Sequence, residues 1–295
     1  MKTKIISLLL FIGVVFNSIG QEIAPFIRVT ASSESMQQVS EKVMTTLKNH
    51  SFIILGKYHP SNKSSLEVIA FTNLSMKNTV IKVKDRGALS AIFKVGLQKK
   101  NGKVTVSYTN PEYLLRAYLG KNYKIYKNIF VKFSTDVKTA LKDLGNDFIA
   151  FGGTVKARKL KKYHYKIMMP YFSDPIELKE FSSFEEGLRV IQNNLKDRKG
   201  KTELVYQLIY KQKKVAVFGI GLLDIEDGEP KFLPKIGASH LAALPYEIIL
   251  QDKKVTMLHG KYRLALFWPE LSMGTFMRIM STPGNIEDML ESICE

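Results

Sequence analysis

Two stretches of the sequence decide the fold: residues 35–49 read SMQQVSEKVMTTLKN, and residues 183–197 read SFEEGLRVIQNNLKD. They align without a gap, with Ser183 placed 148 residues after Ser35, and both open on the pattern Ser-x-x-Gln/Glu. In such a capping box the serine oxygen accepts a free amide of the first helical turn, and the Gln or Glu side chain reaches back to the cap. Apolar residues recur on one helical face in each stretch. We therefore predict two equivalent amphipathic helices.

The similarity continues into the segments that follow each helix. AIFKVGLQ at residues 91–98 resembles LPYEIILQ at residues 244–251. Strand-like runs stand before both, at 52–58 and 66–71 in the first half and at 203–210 and 215–221 in the second. The same order of elements at a nearly constant separation indicates a tandem duplication, although two ordinary α+β segments also resemble each other by chance.

A last match sets the end of each copy. VTVSYTNPEY at residues 104–113 resembles LALFWPEL at residues 264–271, and in both we expect a strand to end at Pro-Glu, where a helix begins. Proline suits the first turn because its missing amide has no partner there. This pair is separated more widely than the others, so we assign about 11 extra residues to the second copy, as an added strand at Val255–His259.

The strand-like runs Ile23–Ala31 and Tyr163–Met169 complete the two copies. Each then reads strand, helix, strand, strand, helix, strand, strand, helix. Because all the helices need a sheet face to bury on, we predict an α+β fold with two similar domains, each a mostly antiparallel sheet with helices packed on one face. The expected boundaries are a signal peptide at 1–20, a first domain at 21–120, a helical and basic connector at 121–160, and a second domain at 161–295.

The first half resembles the DUF302 family, also called TT1751-like. The resemblance is carried by the early helix, by Gly56 after FIIL, and by the stretch from Gly87 to Pro111. The second half is similar to a more divergent copy, through residues 243–251 and Pro269. The resemblance implies a small α+β domain that pairs with a second copy of itself, here as an intramolecular pseudo-dimer. It supplies no catalytic residues, and the basic character and central insert of this chain depart from the family.

The amino terminus predicts export. Lys2 and Lys4 precede a 12-residue apolar run, Ile5–Phe16, which is followed by the small residues Ser18 and Gly20. This is the pattern of a secretory signal, and the run is too short for a membrane span. We expect cleavage after Gly20 and a periplasmic or secreted protein without a transmembrane segment. Cys294 is the only cysteine, so an internal disulfide is excluded.

The charge is strongly positive: 44 Lys and Arg residues face 27 Asp and Glu residues, a net charge of +17. The densest run supplies five candidate polyanion-binding residues, Lys156, Arg158, Lys159, Lys161 and Lys162. Such a run attracts membrane surfaces or other envelope polyanions at long range, although charge runs are more usually part of a solvated surface. No nucleic-acid recognition motif accompanies it, so a sequence-specific nucleic-acid partner is not predicted.

Motifs for chemistry are sparse. The five histidines lack zinc-ligand spacing, no GxSxG is present, and no cofactor motif occurs, so no metal or cofactor is predicted. Glu247 and Arg263 lie on successive strand-like runs and predict a cross-strand ion pair. The methionines at 168, 169, 273, 277 and 280 fit either an adaptable apolar surface or the core. The candidate ligand-binding residues are Tyr163, His164, Tyr165, His240, Tyr246 and Arg263.

Three functions remain open at this point. The first is a non-enzymatic exported protein that binds a small apolar or anionic ligand, or an envelope partner, in a cleft between the two domains. The second is an enzyme whose site between the domains uses His164, Asp174, His240 or Glu247; it requires two of these side chains within hydrogen-bond reach in one pocket. The third is electrostatic attachment to envelope polyanions.

Overall fold

The structure is a computed structural model that describes residues 21–165 and 168–295. The predicted signal peptide therefore lies outside the described residues. In the first half the strands are β1 (Glu22–Ile23), β2 (Phe26–Ser32), β3 (Ile53–Tyr58), β4 (Leu66–Thr72), β5 (Phe93–Lys100), β6 (Lys103–Thr109), β7 (Ile149–Phe151) and β8 (Val155–Lys156). The helices are α1 (Met36–Asn49), α2 (Leu74–Val80), α3 (Pro111–Leu119), α4 (Lys127–Lys142) and α5 (Ala157–Leu160).

The second half contains five strands and five helices within the described residues. The strands are β9 (Ile176–Glu180), β10 (Thr202–Tyr210), β11 (Val215–Leu222), β12 (Tyr246–Gln251) and β13 (Lys254–Met257). The helices are α6 (Phe184–Lys196), α7 (Glu229–Ile236), α8 (Gly260–Phe267), α9 (Met273–Arg278) and α10 (Thr282–Ser292). No helix in the described ranges has the length and apolar character that crossing a bilayer requires.

The predicted α+β fold with antiparallel sheets is confirmed. One sheet has the order β3-β4-β5-β6-β2-β7, and the other has the order β10-β11-β12-β13-β9. All neighbouring strands in both sheets are antiparallel. We call β2 to α3 the first unit and β9 to α8 the second unit. When their strands are numbered within each unit, the order of the five strands is the same in both.

The two long helices begin where the sequence predicts. Ser35 caps α1 in a full capping box with Gln38, and Ser183 caps α6 by accepting the amide of Glu186. The Glu186 side chain accepts the amide of Ser182 rather than that of the cap itself. Helix α1 lies on β3 and β5, and α6 lies on β10, β12 and β13, so each sheet carries its helix on one face.

The two sheets share irregularities as well as order. The first strand of each unit is bulged at a buried residue, Val29 in β2 and Leu178 in β9. The edge strands β3 and β10 are bulged as well, at Leu55 and Val205. A bulge changes the local twist of a strand, so matching bulges give the two sheets the same curvature.

Helices α3 and α8 contact each other through reciprocal hydrogen bonds. The Tyr113 hydroxyl donates to the carbonyl oxygen of Leu266 at 2.7 Å, and the Tyr262 hydroxyl donates to that of Ala117 at 3.5 Å. Tyr262 follows Tyr113 by 149 residues, and Leu266 follows Ala117 by the same number. Exchange of equivalent contacts is the signature of a twofold-related interface.

The strand predicted at Val255–His259 is present as β13, but the prediction that it is an addition to the second copy is wrong. Strand β13 occupies the place of β6, and residues 264–267 belong to α8 rather than to a strand. Helix α8 begins at Gly260 behind its cap His259, just as α3 begins at Pro111 behind Asn110. The similarity around Pro269 is therefore coincidental, because Pro269 follows α8 instead of opening it.

The strand predicted at Tyr163–Met169 is also wrong for the residues described. Residues 163–165 and 168–169 are turn or irregular backbone. The position beside β13 that this strand would need is taken by β9, which corresponds to β2 of the first unit. The alternation of two tyrosines with a histidine imitates a strand, but none of the described residues of this run pairs with a sheet.

The expected connector at 121–160 contributes to the first sheet. Strand β7 hydrogen-bonds to β2, and α4 packs against α1, α2 and α3. Strand β8 pairs with β1 in a separate two-stranded sheet. Most of the connector therefore packs with the first unit, and its last residues begin the basic run Lys156–Lys162.

The edge strands β3 and β10 approach each other most closely at Gly56. A Cβ atom at Gly56 would lie 1.9 Å from the carbonyl oxygen of Val205. Only a residue without a side chain fits this approach, so Gly56 sets how closely the two sheets can lie.

We predict that Gly56→Ala lowers the free energy of unfolding by about 1–3 kcal/mol, because the added methyl group must push β3 and β10 apart. Gly284→Ala is the control, since Gly284 lies in α10 with open space around its Cβ position. Urea denaturation of both variants measures the difference. A Gly56→Ala protein as stable as the wild type would contradict the close approach.

Candidate functional site

A cationic cleft lies beside the two-stranded sheet. Its volume is about 650 Å³, and Lys156, Arg158, Lys159 and Lys162 line it. Strand β8 and helix α5 carry the first three, and β1 holds β8 in place by antiparallel pairing. The predicted polyanion-binding run thus forms the wall of a concave surface. Lys161, the fifth residue of the run, lines a neighbouring cavity of about 420 Å³.

Tyr163, His164 and Tyr165 line the same cleft. The Tyr163 side chain is buried, and its hydroxyl donates to the carbonyl oxygen of Ala265 in α8 at 2.8 Å. The His164 ring lies 4.4 Å from the ring of Tyr171, measured between centroids. Three of the six predicted ligand-binding residues therefore meet the cationic run, although no strand brings them there.

The cleft contains one carboxylate among its lining residues. Glu22 lies on β1, and its Oε2 accepts a hydrogen bond from the Thr154 hydroxyl at 2.7 Å. Four cationic side chains thus face one carboxylate. Neighbouring like charges repel one another, and a bound anion relieves that repulsion while accepting charge-assisted hydrogen bonds.

An apolar cavity of about 240 Å³ adjoins the cleft. Tyr165 lines both, and Trp268 in the cavity is followed directly by Pro269 in the cleft. Helices α8 and α9 supply most of the wall. The lining residues are Tyr165, Met169, Lys261, Leu264, Ala265, Trp268, Leu271, Met273 and Phe276. The only charged group among them is Lys261, so the cavity suits an apolar chain rather than a polar one.

Sequence reasoning missed this apolar cavity. It assigned residues 264–268 to a strand, which would place alternate side chains on opposite faces. In α8 the run YRLALF is apolar on nearly all sides, and a helix of this kind must pack against other elements on every side. This apolar run was the sequence signal for a second buried face. Helix α8 packs one side against α3, and its Leu264 and Ala265 line the cavity.

Tyr246, Arg263 and Glu247 lie in the interior between the two units, away from the cleft. The predicted ion pair between Glu247 and Arg263 is wrong: Glu247 pairs instead with Lys94 of β5, and both side chains are almost fully buried. The Tyr206 hydroxyl donates to the same carboxylate at 2.8 Å. Desolvation lowers the pKa of Lys94, and the Glu247 charge opposes that shift.

Arg263 is held by α8 against the backbone before β12. Its guanidinium donates to the carbonyl oxygens of Ala243 and Pro245 and stacks 3.7 Å above the Tyr246 ring. The cation–π contact and the two carbonyls, both reached by Nη2, compensate part of the hydration that this charge loses on burial. Arg263 and Tyr246 therefore contribute to packing between the units, and the cleft does not include them.

Glu229, at the start of α7, is a second buried carboxylate between the units. It accepts hydrogen bonds from the Tyr58 hydroxyl and the Ser61 amide, both at 2.9 Å, and from the Leu222 amide at 3.3 Å. Desolvation nevertheless raises the pKa of Glu229 to about 7. Sequence reasoning did not single it out, since a glutamate at a helix start is normally a surface residue.

The four candidate catalytic residues lie in different places. His164 lies in the cleft, Glu247 in the interior ion pair, and Asp174 accepts the Tyr171 amide in a turn. His240 is buried against Phe26, and burial lowers its pKa to about 4. Its Nε2 lies 3.4 Å from a Glu270 oxygen, but the neutral ring forms no ion pair there at neutral pH.

The lone cysteine and the possible metal-ligating side chains form no further candidate site among the described residues. Burial raises the pKa of the Cys294 thiol to about 12, so the thiolate that would act as a nucleophile is not formed at neutral pH. Within the described ranges, no group of three or more His, Cys, Asp or Glu side chains is placed to hold a metal ion.

Comparisons with known proteins give a structural similarity to part of this chain. No protein-family model matches the chain, and no curated protein matches it. Among solved structures, the chain is similar to an uncharacterised conserved DUF302 protein from Bacillus stearothermophilus, with 15% sequence identity and a TM-score of 0.33. The match covers 40% of this chain and 94% of that one.

We predict that Glu247→Gln lowers the free energy of unfolding by about 3–5 kcal/mol, because it leaves the Lys94 charge buried and unpaired. The double variant Lys94→Met with Glu247→Gln should recover much of that loss in the same denaturation experiment. Lys254→Gln, which removes exposed ion pairs with Glu177 and Glu180, is the control and should change little. Additive losses in the double variant would show that the two side chains do not interact.

We predict a pH dependence from Glu229. Its folded pKa of about 7 lies above the ordinary glutamate pKa of 4.5, so its stabilising contribution is fully present below about pH 4.5 and is lost as the pH rises through about 7. At about 1.4 kcal/mol per pKa unit, the loss is roughly 3 kcal/mol. Denaturation between about pH 5 and 8 should show this slope in the wild type but not in Glu229→Gln. The exposed variant Glu41→Gln should keep it.

Proposed function

We propose that the protein binds an amphiphilic anion without transforming it, with the acidic group in the cationic cleft and the apolar chain in the adjoining cavity. The observation that carries this proposal is that the two cavities meet at Tyr165, with opposite chemical linings on either side. A single ligand with one charged end would satisfy both. Fatty acids and single-chain phosphates have this chemistry.

The architecture supports recognition more than catalysis. The cleft offers positive charge and the cavity offers apolar contact, and these are the two means by which amphiphiles are held. The enzyme hypothesis required two candidate side chains to share one pocket, whereas His164, Glu247 and His240 occupy three separate settings. We therefore place the function in binding.

We also propose that the two units arose by duplication of one module and form two domains of one chain. The shared strand order, the matching bulges and the reciprocal tyrosine bonds of α3 and α8 support this. The predicted signal peptide supports export to the periplasm or beyond. In that compartment the available amphiphilic anions would be envelope lipids and their breakdown products.

The binding proposal predicts an order of affinities among three probes. Decyl phosphate should bind most tightly, because it fills both cavities, and decanol and inorganic phosphate should each bind at least about tenfold more weakly. Isothermal titration calorimetry at fixed salt measures all three. Equal affinity for decyl phosphate and inorganic phosphate would favour the polyanion hypothesis, in which the apolar cavity plays no part.

Variants separate the two halves of the site. The double variant Arg158→Gln with Lys159→Gln should lower the affinity for decyl phosphate at least about tenfold and leave the affinity for decanol unchanged. Ala265→Phe should lower the affinity for both probes, because the larger side chain fills the apolar cavity. Lys99→Gln with Lys100→Gln removes the same charge from an exposed hairpin and serves as the control. If the control variant loses as much affinity for decyl phosphate as the Arg158→Gln, Lys159→Gln variant, the cleft is not the binding site.

A further inference from the structure

Exposed methionines lie on α9 and directly after it, beside the apolar cavity. Met273 and Met277 are one helical turn apart on α9 and are each 57% exposed, and Met280, in the turn after α9, is 60% exposed. Met273 also lines the cavity. Large apolar side chains so exposed and so close together are unusual on a soluble surface, and they mark a contact with an apolar partner. We call Met273, Met277 and Met280 the methionine face.

Positive charge flanks the methionine face. Arg278 ends α9, and the Lys235 ammonium donates to the Arg278 carbonyl oxygen at 3.2 Å. Lys261 stands at the apolar cavity, and beyond Tyr165 begins the cationic cleft. Arg278 and Lys235 therefore place positive charge at the end of α9 beside the methionine face, and Lys261 places it at the apolar cavity.

We propose that the methionine face docks on an anionic lipid bilayer, with Met277 and Met280 entering the interface and the flanking cations contacting lipid phosphates. The charge complementarity decides the occupant. A short helix with apolar residues on one side and cations around it is the arrangement that binds membrane surfaces, where both contributions add. Methionine suits this role, because its flexible chain adapts to a disordered surface.

Docking there would bring the mouth of the apolar cavity to the bilayer. Met273 belongs to both the methionine face and the cavity wall, so an amphiphile could leave the membrane without its chain crossing water. In this respect the inference rests on the proposed function, since it names the source from which the ligand is taken. The docking itself does not depend on the ligand, and it is tested without one.

The test is cosedimentation with vesicles of phosphatidylcholine, with or without phosphatidylglycerol. The wild type should bind the anionic vesicles and not the neutral ones, with binding that weakens as salt rises. Met277→Ser with Met280→Ser should lower the bound fraction at least about fivefold. Leu74→Ser is the matched control, because Leu74 is 62% exposed at the start of α2 and lines none of the cavities described above. It should bind as the wild type does.

Two outcomes overturn the proposal. One is a wild type that does not bind anionic vesicles, in which case a protein partner would fit the methionine face better. The other is a double methionine variant that binds as well as the wild type. Because neither Met277 nor Met280 lines the cleft or the cavity, that variant should keep the wild-type affinity for decyl phosphate in solution. If decyl phosphate does not bind the wild type, the proposed function is refuted. The vesicle experiment tests only the docking on the membrane.

Discussion

The ion pair between Lys94 and Glu247 is the constraint on which the arrangement of the two sheets depends. Both charges are buried, and neither is tolerable without the other. The Tyr206 hydroxyl donates a hydrogen bond to the same carboxylate, and this additional bond fixes the orientation of the ion pair. Since α8 lies in the same interface and also forms a wall of the apolar cavity, the position of the candidate site follows from how the units meet.

Much of the fold could be predicted from local signals. The serine caps of α1 and α6 mark both helices because capping is a short-range interaction that the sequence shows directly. The alignment of residues 91–98 with 244–251 also agrees with the structure, where β5 and β12 hold the same place in their sheets. Elements with strong periodicity and clear ends are therefore predictable, and they were enough for the fold class.

The errors share a different cause, since each depended on long-range contacts. Pro269 suggested a helix start by analogy with Pro111, but α8 already ends before it. Residues 163–165 alternate as a strand would, yet β9 occupies the sheet edge they need. The cationic half of the site was predictable because Lys156–Lys162 is one run of sequence. The apolar half was not, because α8 and α9 form it by packing.

The strand register places Lys94 and Glu247 at equivalent positions in the two sheets, and this affects which units can associate. Lys94 faces Ala70 on the neighbouring strand, and Glu247 faces Gly219, so the two charges occupy equivalent places in the two units. A symmetric dimer made of either unit alone would set lysine against lysine or glutamate against glutamate in a dry interior. Opposite charges at this one position would make the association directional, because each unit would pair with its counterpart in preference to a copy of itself.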